Sequence, residues 1–366
     1  MACLHIVKPF HRPGHHFRIP ALVAFLLFVL VGKTSASENL QPTGQMVNVG
    51  THSMHLFCSG EGGPTIVLDS GLGGLSHEWI RVQSELAKQT KVCAYDRSGY
   101  GWSEASPYPR TSTIIVGELF KMLKSASIPG PYILIGHSFG GYTAQLFASR
   151  YHAETAGIVL VDASHPGQVE RFRAIGLNTV PVKRVTHVKY STPRLPRNLP
   201  DEVREVTLQQ LLEGDTMATV AEEYINFYTS AQQVAKELNI PEVPVMVLTR
   251  GQSGWNNNPN RERYEGLWQQ LQSELAQMSP TSAHLWANQS GHHIHLDQPM
   301  VTTNAIAMVL ERARRDNRLE KKPVHLINRD HKLNWKAFTS ATWQLNRIKK
   351  RMFSWPVSHE EAYAIR

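Results

Sequence analysis

Cysteine is scarce, with three in 366 residues, at positions 3, 58 and 93. That excludes a disulfide-dense scaffold, and no Cys pair stands at metal-ligand spacing. Acidic residues are missing from the first 36 positions, which carry four basic ones, and after position 313 five acids face thirteen basic residues. The net +8 therefore belongs to the two ends, because 37–313 holds 21 basic against 25 acidic residues. Phosphate binding needs clustered positive charge, so no nucleic-acid partner is expected for this body. Internal repeats and low-complexity tracts are lacking. With 42% hydrophobic and 19% charged residues, the composition argues against a disordered or fibrous chain. The length allows one large domain or two small ones with a sizeable core.

Long apolar runs are also lacking. Residues 19–32 form an uncharged stretch of 14, preceded by Lys8, Arg12 and Arg18 and followed by Lys33-Thr34-Ser35-Ala36. A spanning helix needs roughly 17–25 residues. A basic start, a short apolar run and small residues instead match a signal peptide. Residues 1–36 are read as a signal peptide cleaved near Ala36, or as an uncleaved signal anchor. The expected location is periplasmic or extracellular, with membrane anchoring by this segment as the variant. No Cys follows the run, so a lipoprotein anchor is not indicated. The basic extension 314–366 places Trp335, Phe338, Leu345, Ile348 and Met352 at helical spacing among Lys336, Arg347, Lys349, Lys350 and Arg351. Such a stripe either contacts an anionic membrane surface or packs back on the domain.

From residue 46 the pattern changes. Val47, Val49, Met54, Leu56 and Cys58 suggest a hairpin turning at Gly50-Thr51. Apolar runs then recur at 65–68, 91–95, 132–135, 158–161 and 245–248, with a weaker one at 283–286. Amphipathic stretches at 77–90, 112–126, 139–151, 261–278 and 300–315 separate them. This alternation implies an α/β chain with a mostly parallel sheet covered by helices on both faces. In such sheets chemistry gathers beyond the C-terminal strand ends. The third of these loops reads Gly136-His137-Ser138-Phe139-Gly140-Gly141. Gly-x-Ser-x-Gly between a buried strand and a helix is the nucleophile elbow, where small residues let the helix pass close to the strand and the serine hydroxyl points out of the sheet.

With the elbow, Leu68-Asp69-Ser70-Gly71-Leu72-Gly73, Tyr95-Asp96-Arg97-Ser98-Gly99-Tyr100-Gly101, Val161-Asp162-Ala163-Ser164-His165-Pro166 and the late Gly291-His292 segment, the chain resembles the α/β-hydrolase superfamily. It looks most like the secreted bacterial serine hydrolases related to esterases and lipases. The resemblance covers about residues 44–313. It implies the α/β-hydrolase fold, with 44–165 and 241–313 as core. Residues 166–240, too long for a plain connection, would be an inserted cap with helices around 201–213 and 216–237.

A serine hydroxyl needs a base. By resemblance to the family's Gly-His…Pro segment, His292 is that base, with His293 and His295 lining the loop or facing solvent. The family often places the orienting carboxylate after the strand at 245–248, but 249–256 contains no acid. Asp162, one strand earlier, is the preferred third member and Glu262 the runner-up. Asp297 reads as an N-cap of the final helix. The oxyanion donors implied are the backbone N–H groups of Leu72 and Phe139. Asp96 and Arg97 read as a structural pair or cap beneath the site. A metal set of His292, His293 and His295 is not favoured, because no His-Glu-x-x-His helix or Cys pair accompanies them. In this superfamily the strand ending at Cys58 lies beside the one carrying Cys93, which implies a Cys58–Cys93 bond; two buried thiols is the alternative. The activity implied is cofactor-free hydrolysis of a small ester, amide or thioester. Acyl transfer, peptide-end cleavage and perhydrolysis use the same triad. A binding protein on a hydrolase scaffold is the non-enzymatic alternative.

Overall fold

A computed structural model describes residues 43–182, 195–212, 214–316 and 363–364. The leader and nearly all of the basic extension, with the readings placed on them, lie outside these residues. Strands β1 (Gln45–Asn48) and β2 (Ser53–Ser59) form the expected hairpin, closed by Val49 N–H donating to the His52 carbonyl at 2.9 Å. β3 (Thr65–Asp69) follows, then a 3-10 turn at Ser76–Trp79 leading into α1 (Ile80–Leu86), then β4 (Val92–Tyr95). Next come α2 (Ser112–Ser125), β5 (Tyr132–His137), α3 (Gly140–Arg150) and β6 (Thr155–Val161). Four helices separate β6 from β7: α4 (Gln168–Ala174), α5 (Asp201–Leu212), α6 (Thr216–Ile225) and α7 (Phe227–Glu237). The chain closes the core with β7 (Val245–Arg250), α8 (Arg261–Leu275), β8 (Ser282–Ala287), the single turn α9 (Ile294–Asp297) and α10 (Pro299–Asp316). The two-residue strand β9 (Tyr363–Ala364) pairs with the β8 edge.

The sheet order is β1-β2-β4-β3-β5-β6-β7-β8-β9. From β4 to β8 all neighbours are parallel, and β1, β2 and β9 are antiparallel additions. Side chains along a strand alternate between faces, and here both faces are buried. Val67, Leu134, Leu160 and Val247 enter one core with α2, α3 and α7. Ile66, Ile135, Val159 and Met246 enter the other with α1 and α10. That double burial is why these strands read as continuous apolar runs.

Two element expectations need correction. The stretch expected as one helix at 216–237 is two, broken at Asn226. The Asn226 side-chain amide donates to the Glu222 carbonyl at 2.9 Å, which competes with the helical ladder. The stretch at 77–90 is a 3-10 turn followed by a shorter helix. The cysteines do pair. Cys58 and Cys93 stand opposite each other in the β2–β4 register and form a disulfide.

Candidate active site

Ser138 follows β5 directly and precedes α3, with φ of +51°. A non-glycine residue in the left-handed region is strained and persists only where its surroundings hold it. Here the Ser138 N–H donates to the Val161 carbonyl at 3.2 Å, and the Ser138 carbonyl accepts from Ser164 N–H at 2.9 Å. The glycines are sterically required. A Cβ on Gly136 would lie 2.4 Å from the Gly140 carbonyl oxygen, and one on Gly140 would lie 2.6 Å from that of Asp69.

Asp162, just past β6, is also left-handed, with φ of +42°, and is fully buried. Its Oδ2 accepts from His292 Nδ1 at 2.6 Å and from Arg250 Nη1 at 2.7 Å. Its Oδ1 accepts from Trp268 Nε1 at 2.8 Å and from Arg250 N–H at 3.3 Å. Burial pushes the carboxyl up, but the Arg250 guanidinium and the His292 bond outweigh it and hold the group at about 2. Asp162 is therefore ionised at neutral pH, and an ionised carboxylate only accepts. The hydrogen of this bond thus sits on His292 Nδ1, which leaves Nε2 as the nitrogen free to exchange a proton. His292 also lies beside the elbow. Its carbonyl accepts from His137 Nε2 at 2.9 Å, and the two rings are 4.7 Å apart.

The loop after β3 packs against the elbow as well. A Cβ on Gly71 would come within 3.0 Å of Ser138 Cβ. Arg97 fixes this loop, donating to the Ser70 and Gly71 carbonyls at 2.6 and 2.9 Å and to Asp69 at 2.7 Å. Its remaining donors grip Glu223 of α6 in a two-point contact at 2.9 Å each, and Tyr100 donates to the same carboxylate at 2.6 Å. Leu211 of α5 and Val220 of α6 pack with Leu75, Tyr100 and Leu72. Leu72 thus stands on a loop clamped from both sides. Phe139 stands at the start of α3, where backbone N–H groups favour negative charge.

The structure brings Asp162 and His292 together, places the Leu72 loop against Ser138, and ties the residue before Ser138, His137, to the His292 backbone. It leaves Glu262 out, exposed in the first turn of α8. Asp96 and Arg97 do not pair with each other, because their side chains leave on different courses. Asp96 accepts from His55 Nδ1 at 2.9 Å and from Ser76 N–H at 2.8 Å. Asp297 caps the Gly291 N–H at 2.8 Å rather than the final helix, holding the turn that carries His292. His295 does not face solvent; it is fully buried and stacked on Trp79 at 4.3 Å. Arg250, Trp268 and Glu223 are partners that the sequence pattern does not name. A cation at the end of β7 was a readable signal for Arg250, whereas Trp268 and Glu223 arrive from distant helices with no local mark.

A parallel sheet with an elbow at β5 and an acid–imidazole pair at the ends of β6 and β8 defines a class. The family model described as alpha/beta hydrolase fold matches residues 64–299, and the chain belongs to that family. Among its relatives is the uncharacterized protein YqjL of Bacillus subtilis (strain 168), 28% identical over 257 residues, covering 70% of this chain and 86% of that protein. Solved structures share the fold. A putative lipase from Acinetobacter baumannii AYE superposes with a TM-score of 0.53 at 19% identity, over 75% of this chain and 92% of its own. An enol-lactonase from Burkholderia xenovorans LB400 gives 0.51 at 19%, over 73% and 99%. The epoxide hydrolase VrEH1 from Vigna radiata gives 0.55 at 16%, over 72% and 95%. Among the described residues no helix is long and apolar enough to cross a membrane.

Proposed function

We propose that the protein is a serine hydrolase that cleaves a carboxylic ester, with amides and thioesters as neighbouring substrates, through Ser138, His292 and Asp162. The observation that carries this reading is the 2.6 Å contact between His292 Nδ1 and an ionised, buried Asp162, beside a serine held at φ +51°. His292 Nε2 takes the Ser138 proton as Oγ attacks the acyl carbon. Asp162 stabilises the imidazolium, and the N–H groups of Leu72 and Phe139 receive the oxyanion. Collapse expels the alcohol with the proton from His292. Water, activated by the same imidazole, releases the acid from the acyl-enzyme. The hydroxyl at position 138 supports acyl chemistry over epoxide opening, which needs a carboxylate nucleophile in this fold.

In this reading the helices of 166–240 cover the site as a cap, and α6, clamped through Glu223, is the part that sets the pocket wall. The substrate is a small acyl compound, and no cofactor takes part. Residues 1–36 direct export, which the Cys58–Cys93 disulfide is compatible with, and the basic extension contacts a membrane surface. Turnover of p-nitrophenyl acyl esters tests the chemistry. Ser138→Ala abolishes it with the fold intact; undiminished turnover in that variant refutes the assignment.

A further inference from the structure

Behind the Asp162–His292 pair lies a second group of titratable side chains that the acyl chemistry does not use. Glu78 stands in the 3-10 turn after the Leu72 loop, His137 at the end of β5, and His295 in α9. They are 5%, 2% and 0% exposed. One ligand atom from each lies within 4.8 Å of the other two. Yet Glu78 Oε2, His137 Nδ1 and both ring nitrogens of His295 have no hydrogen-bond partner among the described residues. His295 Nε2 and Glu78 Oε2 are 3.5 Å apart, too far for a good hydrogen bond. Buried polar atoms are almost always satisfied, so unpartnered atoms from three side chains gathered within 4.8 Å call for an occupant.

The orientation of His137 says what kind. Its Nε2 meets the His292 carbonyl at 2.9 Å. A carbonyl can only accept, so Nε2 carries the hydrogen and Nδ1 is left with a lone pair and no partner among the described residues. A ring that donates one nitrogen to a backbone carbonyl and offers the other is the usual posture of a metal-ligating histidine. The His295 ring plane is fixed by stacking on Trp79. Spacing agrees. Bonds of about 2.0–2.1 Å in tetrahedral geometry separate donors by roughly 3.4 Å, against 3.5 Å between His295 and Glu78, with the His137 donor within 4.8 Å of both. Two imidazoles and one carboxylate suit a borderline divalent cation.

We propose that Glu78, His137 and His295 bind a divalent first-row transition-metal ion, with zinc the best match, which clamps the turn after β3, the elbow and the His292 loop to one another. The site is distinct from the set of adjacent histidines weighed from the sequence, because two of its three donors come from other elements. It does not depend on the ester chemistry.

Untagged full chain, unfolded with its disulfide intact, is refolded in CoCl2 and desalted. The expected result is one retained Co2+ per chain with visible d–d absorption, and a higher melting temperature than metal-free protein. Glu78→Gln and His295→Gln each weaken retention by roughly tenfold or more, whereas His292→Ala retains it. Absence of retained Co2+ in the wild type overturns the proposal. So does retention that survives both cluster variants, or that is lost in His292→Ala, since the metal would then sit on the His292 loop. The wild-type measurement decides even if a variant fails to fold.

Discussion

Arg250, at the end of β7, donates to Asp162, at the end of β6, across 2.7 Å, and both side chains are buried. At this strand end, where the resemblance leads one to expect an acid, stands the cation that keeps the proposed triad acid, Asp162, ionised. The folded carboxyl sits at about 2, below its ordinary 3.8. A depressed acid stabilises the fold above its unfolded value, and that stability is lost as pH falls toward the folded value. The shift corresponds to roughly 2 kcal/mol. Urea denaturation should show wild type more stable than Asp162→Asn at pH 7, with a gap that narrows between about pH 4 and pH 2. At neutral pH the same substitution should lower kcat by about 10⁴, because the imidazole loses its fixed tautomer. A gap independent of pH would contradict the ionised acid.

Glu223 ties α6 to the loop bearing Leu72 through Arg97. Removing one partner of a buried pair strands the other. Glu223→Ala is expected to cost about 3–5 kcal/mol and to lower kcat/KM as the loop loosens. Chemical denaturation and ester kinetics check both effects. A loss under 0.5 kcal/mol would mean the contact does not hold α6 in place.

Glycine 140 admits no side chain, since a Cβ would meet the backbone oxygens of Asp69 and Ser70 at 2.6 and 2.8 Å. Gly140→Ala should destabilise by about 3 kcal/mol or more, as overpacking against rigid backbone does. Gly117→Ala in α2, where nothing lies within 4 Å of the added methyl, should instead stabilise by about 0.4–1 kcal/mol. Paired melting curves separate the two, and equal effects would mean the elbow is not tightly packed.

The Cys58–Cys93 bond closes a separation of 35 residues. In the chain-entropy model that contributes about 3–4 kcal/mol. The Cys58→Ser/Cys93→Ser double variant should lose that much in urea denaturation. Full stability in the variant would show that the cross-link leaves the unfolded state unconstrained.

The legible parts of the molecule were those whose physics is local. Both faces of the sheet are buried, so β3, β5, β6 and β7 announce themselves as apolar runs. The elbow is legible because crowding between Gly136 and Gly140 restricts the residue type at both positions. Asp162 could be inferred only by elimination, from the absence of acids at 249–256. The rest depends on long-range contacts. Trp268 reaches Asp162 from 106 positions away and Glu223 reaches Arg97 from 126. Asp297 went astray because a carboxylate before a helix looks like a cap, and its partner, Gly291, lies on the preceding turn. Of the two readings of His295, lining the loop or facing solvent, the second fails because Trp79 covers the ring.

The most direct measurement is covalent labelling of the full chain with a fluorophosphonate, followed by peptide mass mapping. A hydroxyl activated by His292 should give one adduct per chain, on Ser138, lost in His292→Ala and strongly slowed in Asp162→Asn. Labelling that misses Ser138, or that proceeds equally fast without the imidazole, would contradict the triad.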